Sequence, residues 1–402
     1  MKYIIFLGDG MGDYALKELD GKSPLQAAKT PNMDWIAAKG RVGRLITIPK
    51  GMPSGSDVAN LSVLGYDPKE CYTGRGPLEA AAMNVKLGKD DIAFRCNLIT
   101  EKNGILTDYS ASHITNEEAA ELIRAIQVEF GKPDIEFHNG VSYRHLLVLK
   151  NNYSENVECT PPHNVVGSKI AKVMVKAKSV EGEKTTHLLN KMVLDSKNIL
   201  SKHPVNVSRV KKGFNPGNMI WPWSPGKKPK LRNFQELYGI KGAAISAVDI
   251  VFGLGIYAGF KPIKVKGATG LYDTNYEGKA VACIKALQDY DLVFVHVEAP
   301  DEASHAGDLK LKLKTIEDLD ERLIGRVLKK VDLKNTTIAV LPDNLTPVKL
   351  KTHAAEPVPF AVYAPKAKKD SVKFFNEFSA ELGSLGTIKP KEFIEILLGK
   401  NG

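Results

Sequence analysis

One serine in this sequence lies where a phosphoryl group could be received. Ser56 is part of the stretch GMPSGSDVANLSVLGYD, residues 51–67, in which Gly51, Pro53 and Gly55 indicate a turn. The apolar residues that follow are three positions apart, which is typical of a helix packed on a core. The pattern therefore predicts Ser56 at a helix N-cap, where unpaired N–H groups and the helix dipole favour an anion. A serine that only caps the helix is the competing interpretation.

Five acidic or histidine residues elsewhere in the chain could hold divalent cations beside Ser56, namely Asp9, Asp301, His305, Asp343 and His353. Carboxylates suit Mg²⁺ and Mn²⁺, and imidazole extends the choice to Zn²⁺ or Co²⁺. Two such groups can hold a pair of ions that clamp both oxygens of an in-line phosphoryl transfer and activate a serine hydroxyl. Each residue also has an ordinary structural role open to it, as a turn former, a helix-face residue or a surface histidine.

The elements that would position these residues are short buried strands. Apolar runs predict strands at residues 3–7, 291–297, 337–341 and 360–363. Helical spacing at residues 279–287 and 311–331 alternates with the strands. The alternation predicts an α/β fold in which helices flank a mostly parallel sheet on both faces.

The candidate residues cluster where these runs stop. Asp9 follows the first run, Asp301 and His305 follow the second, and Asp343 follows the third. In open α/β sheets the ligand site lies outside the carboxyl ends of the strands. We therefore expect segments hundreds of residues apart to meet at one sheet edge.

The middle of the chain has a different pattern of predicted strands, helices and polar turns. This pattern indicates a separate lobe. Strands are predicted at residues 91–100 and 145–150, and helices at residues 116–130 and 186–203. The prediction is a smaller α/β or α+β lobe, residues 77–230, inserted into a discontinuous main domain, residues 1–76 and 231–402. Residues 214–231, rich in Gly and Pro, are interpreted as the return connection.

Composition narrows the classes of protein. The formal charge of +10 is accompanied by no nucleic-acid-binding motif, so we expect no nucleic-acid partner. The apolar stretch 242–260 contains Asp249 and four glycines, which favours a buried helix over a membrane span. The four cysteines form no CxxC pair and the N-terminus carries no signal peptide, which predicts a reduced, cytoplasmic protein.

Six motifs resemble one protein family. The stretches are FLGDGMGD, GSDVANLSVLGYDP, TGRGPLEA, VHVEAPDEASHAGD, IEDLDERLIG and KTHAAEPVPFAVY. Together they resemble the archaeal type of cofactor-independent phosphoglycerate mutase, a branch of the alkaline phosphatase superfamily. The resemblance runs through nearly the whole chain. It implies an alkaline-phosphatase-like metal-binding domain whose inserted lobe covers the substrate, and an isomerase of glycolysis and gluconeogenesis that needs no bisphosphoglycerate.

The resemblance also implies roles for individual residues. Ser56 matches the transient phosphoserine, Asp301, His305 and His353 match one metal site, and Asp9, Ser56 and Asp343 match the second. Two divalent ions are implied, with Mn²⁺ favoured and Mg²⁺, Co²⁺ or Zn²⁺ as alternatives. Arg75, His113 and Arg144 match positions that bind the phosphate or carboxylate of a small phosphorylated three-carbon acid.

The sequence departs from the family at Asn344, where the family has histidine after the aspartate. An amide oxygen is a weaker donor to Zn²⁺ than imidazole, so the second ion is expected to be loose, restricted to Mn²⁺ or Mg²⁺, or absent. Two other functions stay open. One is a phosphohydrolase or small-alcohol phosphotransferase using the same site, since a fold does not fix a function; the other, suggested by Asn344, is a non-catalytic homologue that lacks the second metal. Asp108 is a further hypothesis, as an acid or base for the glycerate hydroxyls. The oligomeric state has no signature in the sequence.

Overall fold

The computed structural model describes residues 1–400. The chain forms two compact units, one made of residues 1–72 and the chain from residue 230 onward, and the other of Thr73–Pro229. Each unit has its own buried hydrophobic core.

The bounds of the strands and helices follow. The strands of the described chain are β1 (Lys2–Gly8), β2 (Arg41–Leu45), β3 (Ile92–Lys102), β4 (Ile105–Asp108), β5 (Ile135–Val141), β6 (Arg144–Leu149), β7 (Val157–Glu158), β8 (Lys176–Ala177), β9 (Met219–Lys227), β10 (Gly242–Ser246), β11 (Lys261–Lys264), β12 (Leu292–Val297), β13 (Thr336–Leu341), β14 (Val358–Tyr363) and β15 (Thr387–Ile388). The α-helices are α1 (Pro24–Ala27), α2 (Pro31–Lys39), α3 (Ser56–Val63), α4 (Pro68–Cys71), α5 (Arg75–Ala82), α6 (Asn116–Phe130), α7 (Glu183–Leu200), α8 (Pro204–Lys211), α9 (Phe234–Tyr238), α10 (Asp249–Tyr257), α11 (Tyr276–Asp289), α12 (Ala299–Ala306), α13 (Leu309–Asp318), α14 (Gly325–Leu328), α15 (Glu377–Glu381) and α16 (Pro390–Leu397).

The first unit is organised around one large sheet. Its strand order is β11-β10-β12-β1-β13-β14-β2-β15. Neighbouring strands are parallel except at β14, which is antiparallel to both β13 and β2. Strands β12 and β13 are buried at every residue, as expected of a sheet covered on both faces. The predicted α/β fold with a mostly parallel sheet is confirmed.

Two predicted helices of the first unit differ from the structure. Residues 242–260 form strand β10 followed by helix α10, and not one buried helix. An uninterrupted apolar run does not by its period distinguish a buried strand from a buried helix. The helix predicted at residues 311–331 is divided into α13, a π-helical segment (Leu319–Ile324) and α14. In residues 1–400 there is no helix long and apolar enough to cross a membrane.

The second unit contains a smaller antiparallel sheet. The order β4-β3-β6-β5 is extended by β9, which also pairs with β3. Helices α6 and α7 supply apolar side chains to the core beneath it. The interpretation of residues 214–231 as a plain connection is wrong, because nine of them form β9. Pro222 and Pro225 fit there because an edge strand pairs on one side only.

Candidate active site

Three neighbouring strands of the large sheet bring the predicted acidic residues to one edge. Strands β12, β1 and β13 run in parallel, with Gly8 beside Val297 and Leu7 beside Leu341. Asp9 follows β1 directly, while Asp343 lies two residues beyond β13. The prediction that these segments meet at the carboxyl ends of the strands is confirmed by the register.

Ser56 is the first residue of helix α3. The cap position belongs to Gly55, so the predicted N-cap is displaced by one residue. The Ser56 hydroxyl donates to Asp9 Oδ1 at 3.3 Å. Asn60 holds the same turn from inside the helix, since its Nδ2 donates to the Ser56 carbonyl at 2.8 Å and to Asp343 Oδ2 at 3.1 Å. Ser56 is therefore not the residue that caps helix α3.

Asp301, His305 and His353 form a compact group of ligand type, as predicted. Asp301 and His305 lie one turn apart on α12, with His305 Nε2 at 3.1 Å from Asp301 Oδ2. His353 Nε2 lies 3.5 Å from Asp301 Oδ1 and 3.2 Å from His305 Nε2. The Nδ1 atoms of the two histidines face the carbonyl oxygens of Lys351 and Ser54. An Nδ1–H bonded to a carbonyl leaves the Nε2 lone pair available to a cation.

The charges within this group support one another. Burial raises the pKa of Asp301, but the hydrogen bonds from His305 and His353 outweigh it and leave the pKa below its usual range. The hydrogen bond to Asp301 raises the pKa of His305 to about 9. Two imidazoles and one carboxylate with converging atoms are a donor set for a borderline divalent ion.

A second group of ligand type consists of Asp9, His296 and Glu298. His296 Nε2 lies 2.9 Å from Asp9 Oδ2 and 3.4 Å from Glu298 Oε2. Sequence reasoning missed His296 and Glu298 because His296 falls inside an apolar strand. The register provides the missing information, since β12 lies beside β1 and turns His296 toward Asp9.

Asp343 lies beside this group and is held by backbone and side-chain donors. Its Oδ1 accepts from the N–H of Gly10 at 3.2 Å and of Asn344 at 2.8 Å. Asp9 and Asp343 are close enough to hydrogen-bond with each other. The two aspartates and Ser56 are thus brought together as predicted.

Crowding of buried carboxylates dominates the electrostatics here. Burial, followed by repulsion from Asp343, Glu298 and Asp301, raises the pKa of Asp9 well above its usual value. Burial and repulsion from Asp301 and Asp343 raise the pKa of Glu298 to about 8. Such a cluster binds protons when no metal is present, and bound cations would replace those protons.

Asn344, the departure from the family pattern, is fully buried. Its Oδ1 lies 2.7 Å from the Thr346 hydroxyl, which also lies 2.6 Å from Asp301 Oδ1, and its Nδ2 has no partner within residues 1–400. One hydroxyl proton cannot serve both oxygens. Exchanging the amide O and N of Asn344 satisfies all three residues and turns its oxygen toward the position without a partner. In that orientation Asn344 offers an oxygen ligand.

A buried lysine fixes the two loops that carry these ligands. Lys312 Nζ donates to the carbonyls of Gly12 and Thr346 at 3.1 and 2.9 Å and pairs with Asp13 Oδ2 at 2.9 Å. Gly10, at φ +58°, leaves no room for a side chain, because a Cβ would lie 2.3 Å from an Asp301 oxygen. The loops after β1 and β13 are therefore rigidly spaced.

The second unit contains a cluster of positively charged residues, in contrast to the carboxylates of the first unit. The predicted substrate-binding residues Arg75, Arg144 and His113 lie there. Burial lowers the pKa of Arg95, Glu79 opposes this shift, and Arg75 and Arg144 lower it further, which places these guanidinium groups near one another. Sequence reasoning missed Arg95, because it occupies a buried strand position.

Aromatic rings line this cluster. Arg95 lies over the Trp223 ring at 4.4 Å, and the ring of His113 packs edge-on against Tyr143 at 5.8 Å. His163 packs edge-on against Trp223 at 5.5 Å. Planar cations set among rings are suited to bind phosphate and carboxylate groups.

His113 is presented by a strained turn. Ala111, Ser112 and His113 all have left-handed backbone angles, with φ between +48° and +53°. Asp108 holds this turn by accepting from the N–H groups of Ser110 and Ser112 at 2.8 and 2.6 Å. These bonds give Asp108 a structural role at the turn, and its role as an acid or base for the glycerate hydroxyls remains a hypothesis.

Comparisons with known proteins agree with this geometry. The family model described as 2,3-bisphosphoglycerate-independent phosphoglycerate mutase matches residues 37–206. The protein of that name from Methanosarcina barkeri is 52% identical over 401 residues, covering 99% of each chain. A solved protein from Pyrococcus horikoshii has a TM-score of 0.85 at 32% identity, covering 100% of this chain and 98% of that one. The cofactor-independent phosphoglycerate mutase of Thermoplasma acidophilum has a TM-score of 0.69 at 29% identity, covering 100% of both chains. The chain therefore belongs to the family of 2,3-bisphosphoglycerate-independent phosphoglycerate mutases.

Proposed function

We propose that the protein is an isomerase that interconverts 3-phosphoglycerate and 2-phosphoglycerate without bisphosphoglycerate. The observation that carries the proposal is the position of Ser56. Its hydroxyl lies at a helix N-terminus and donates to Asp9, beside two groups of metal-ligand type. The named relative that covers 99% of this chain supports the choice of substrate.

The donor atoms fit two divalent ions. Asp301, His305 and His353 would hold one, and Asp9, Ser56 and Asp343 the second, with the amide oxygen of Asn344 as a further ligand. Mn²⁺ is our first choice because it accepts both oxygen-rich and imidazole-containing sites, while Mg²⁺, Co²⁺ and Zn²⁺ are alternatives. Bound ions lower the pKa of a serine hydroxyl and offset the charge that develops on phosphoryl oxygens.

The residues of the chain carry the transfer in two halves. Ser56 Oγ forms a bond to phosphorus as the bond from phosphorus to the glycerate oxygen breaks. The serine proton moves toward Asp9 Oδ1, and one proton is delivered to the departing glycerate oxygen, which leaves as a hydroxyl. The same steps in reverse return the phosphoryl group to the other glycerate hydroxyl. Water must be kept out while the phosphoserine exists, or the outcome is hydrolysis.

Arg75, His113 and Arg144 are proposed to bind the anionic groups of the substrate. Glu79 pairs with Arg95, with Arg95 Nε at 3.1 Å from the Glu79 carboxylate. Arg95 is therefore neutralised locally. The guanidinium groups of Arg75 and Arg144 match the phosphate and carboxylate of a phosphoglycerate in charge and planar shape.

The test is formation of 2-phosphoglycerate from 3-phosphoglycerate by metal-stripped protein resupplied with each divalent ion, without bisphosphoglycerate. Free phosphate is measured in the same samples, and phosphoserine at position 56 is sought by mass spectrometry. Ser56→Ala should abolish isomerisation, whereas Ser54→Ala, which removes an exposed hydroxyl two residues away and keeps the carbonyl that faces His353, should not. Phosphate release without isomer formation would show a phosphohydrolase instead, and normal turnover by Ser56→Ala would overturn the mechanism.

A further inference from the structure

The first unit contains a cavity of about 670 Å³ that has no part in the proposed reaction. Its lining residues come from four segments, namely residues 46–50, 65–71, 230–237 and 389–391. None of them belongs to the groups of ligand type around Ser56. Cavities that hold small molecules usually measure about 300–1,000 Å³. This cavity is therefore large enough for a small organic ligand.

The cavity and Ser56 belong to opposite ends of helix α3. Ser56 is the first residue of this eight-residue helix, and Gly65, which lines the cavity, lies two residues beyond its last residue. A helix of that length spans about 12 Å. Gly65 has φ +81°, and a Cβ there would lie 2.5 Å from the side chain of Ile394, so α16 packs directly on this turn. A ligand in the cavity would thus occupy a site distinct from the one at Ser56.

Hydrogen bonds between its segments give the cavity a fixed shape. The backbone N–H of Ile46 donates to the carbonyl of Ile388 at 3.0 Å and joins the first segment to the last. The hydroxyl of the buried Tyr66 donates to the carbonyl of Arg232 at 2.8 Å and joins the second segment to the third. A cavity with joined walls loses little conformational freedom when a ligand enters.

Positive charge dominates the lining of this cavity. The cationic residues are Lys50, Lys69, Lys230, Arg232, Lys389 and Lys391, and the acidic ones are Asp67 and Glu70. Six positive and two negative charges leave a net charge of +4. Lys391 lies 3.8 Å from Glu395, whereas the other five cations form no ion pair within residues 1–400. A concave surface lined by one sign of charge concentrates ligands of the other sign, here anions.

The rest of the lining is apolar or aromatic. It consists of Ile46, Pro49, Tyr66, Leu237 and Pro390, together with Cys71. An inorganic anion would contact the cations and leave this surface unused. A ligand that carries phosphate groups on an aromatic ring system would use both parts, since guanidinium and ammonium groups bind phosphate and apolar side chains pack on rings.

The thiol and the phenol of the cavity are not activated for chemistry. Burial raises the pKa of Cys71 to about 12, and its Sγ donates to the carbonyl of Asp67 at 3.1 Å. The Tyr66 hydroxyl is held by the Arg232 carbonyl. A thiol needs a lowered pKa to act as a nucleophile. These groups therefore suit a site that holds its ligand without transforming it.

We propose that this cavity binds a nucleotide, with its phosphates against the cationic residues and its base against the apolar ones. The segment 65–71 ends just before the chain enters the second unit at Thr73, and the segment 230–237 begins where the chain returns. A nucleotide in the cavity contacts both segments, which is a suitable position for a regulator. The inference does not rest on the proposed function.

The experiment is a calorimetric titration of the metal-loaded protein with ATP in excess Mg²⁺. Tripolyphosphate and adenosine are titrated separately, and ATP should bind at least about 10-fold more tightly than either, because only ATP uses both parts of the lining. The double variant Lys230→Gln, Arg232→Gln should bind ATP at least about 10-fold more weakly. The matched control is Lys285→Gln, Lys334→Gln, which removes the same charge at exposed positions outside the cavity and should bind ATP as the unmodified chain does.

Three results would overturn the proposal. One is an unchanged ATP affinity in the Lys230 and Arg232 variant. Another is equal affinity for ATP and tripolyphosphate, which would show an anion site without a place for the base. The third is loss of ATP binding in Arg144→Ala with normal binding in the cavity variant, which would place the nucleotide at the arginine cluster of the second unit. If circular dichroism shows that the double variant is unfolded, Lys69→Gln, an exposed change in the same lining, decides in its place. Isomerisation enters none of these readings, so its absence would overturn only the proposed function.

Discussion

The two units of the chain bury charge of opposite sign. In the first unit the carboxylates of Asp9, Glu298, Asp301 and Asp343 crowd one sheet edge, and burial with mutual repulsion raises the pKa of three of them. In the second unit burial, only partly offset by Glu79, and the neighbouring Arg75 and Arg144 lower the pKa of Arg95. Each cluster costs free energy by itself and is relieved by a ligand of the other sign. The first cluster therefore favours cations and the second favours anions.

The largest expected effect comes from removing a ligand from the carboxylate and histidine cluster of the first unit. His305→Ala removes an imidazole of the Asp301 group, and we expect the isomerisation rate to fall at least about 100-fold because a direct metal ligand is lost. Elemental analysis should find one ion fewer per chain. His187→Ala, which removes an exposed histidine on α7, is the control and should change neither value. An unchanged ion count in His305→Ala would remove the Asp301 group from the metal centre.

Removing an arginine from the cluster of the second unit should lower substrate affinity and leave metal binding unchanged. Arg144→Ala should raise the KM for 3-phosphoglycerate about 10- to 100-fold, since a charge-assisted hydrogen bond contributes roughly 1.5–3 kcal/mol. The number of bound ions should stay the same. Arg124→Ala, at an exposed position on α6, should leave KM unchanged. A normal KM in Arg144→Ala would mean that this arginine binds no part of the substrate.

Much of the first unit could be predicted from the sequence, because its strands are short apolar runs that stop at acidic residues. The predicted strand at residues 3–7 is β1, and Asp9 follows it. Sheet order and register are properties of long-range pairing, and a pattern of single residues does not contain them. For this reason the sequence alone places His296 in an apolar strand and does not show that its ring faces Asp9.

The second unit was harder to predict for a different reason. Strand β9 lies in a segment rich in Gly and Pro, whose local preference is for turns. Its pairing with β3 overrides that preference, and the edge position tolerates proline. Arg95 was missed because a strand position reveals its burial only after the sheet is assembled. Arg75 and Arg144, which were predicted as substrate ligands from the family resemblance, remain predictions.

A smaller effect is expected from a substitution at position 344, beside the carboxylates of the first unit. Asn344→His would restore the residue that the family has at this position. We expect the ion held beside Ser56 to bind about 10-fold more tightly when it is Zn²⁺ or Co²⁺, and to change little when it is Mg²⁺, because imidazole is a better donor to the softer ions. Calorimetric titration with each ion measures the effect. Equal affinities for Zn²⁺ before and after the change would show that position 344 does not ligate.

A further effect, on stability, concerns two histidines whose pKa values are shifted in opposite directions. In the first unit the hydrogen bond to Asp301 raises the pKa of His305 to about 9, so in metal-free protein its stabilising contribution is complete below about pH 6.5 and is lost as the pH rises through 9. In the second unit burial lowers the pKa of His145 to about 3, so its contribution is complete above about pH 6.5 and is lost as the pH falls toward 3. Thermal unfolding of metal-free protein between pH 4 and 10 should show both losses. His305→Gln should flatten only the alkaline side and His145→Gln only the acid side. If either variant keeps the full slope on its own side, another group controls stability there, and the contrast between the units would rest on the carboxylates and arginines alone.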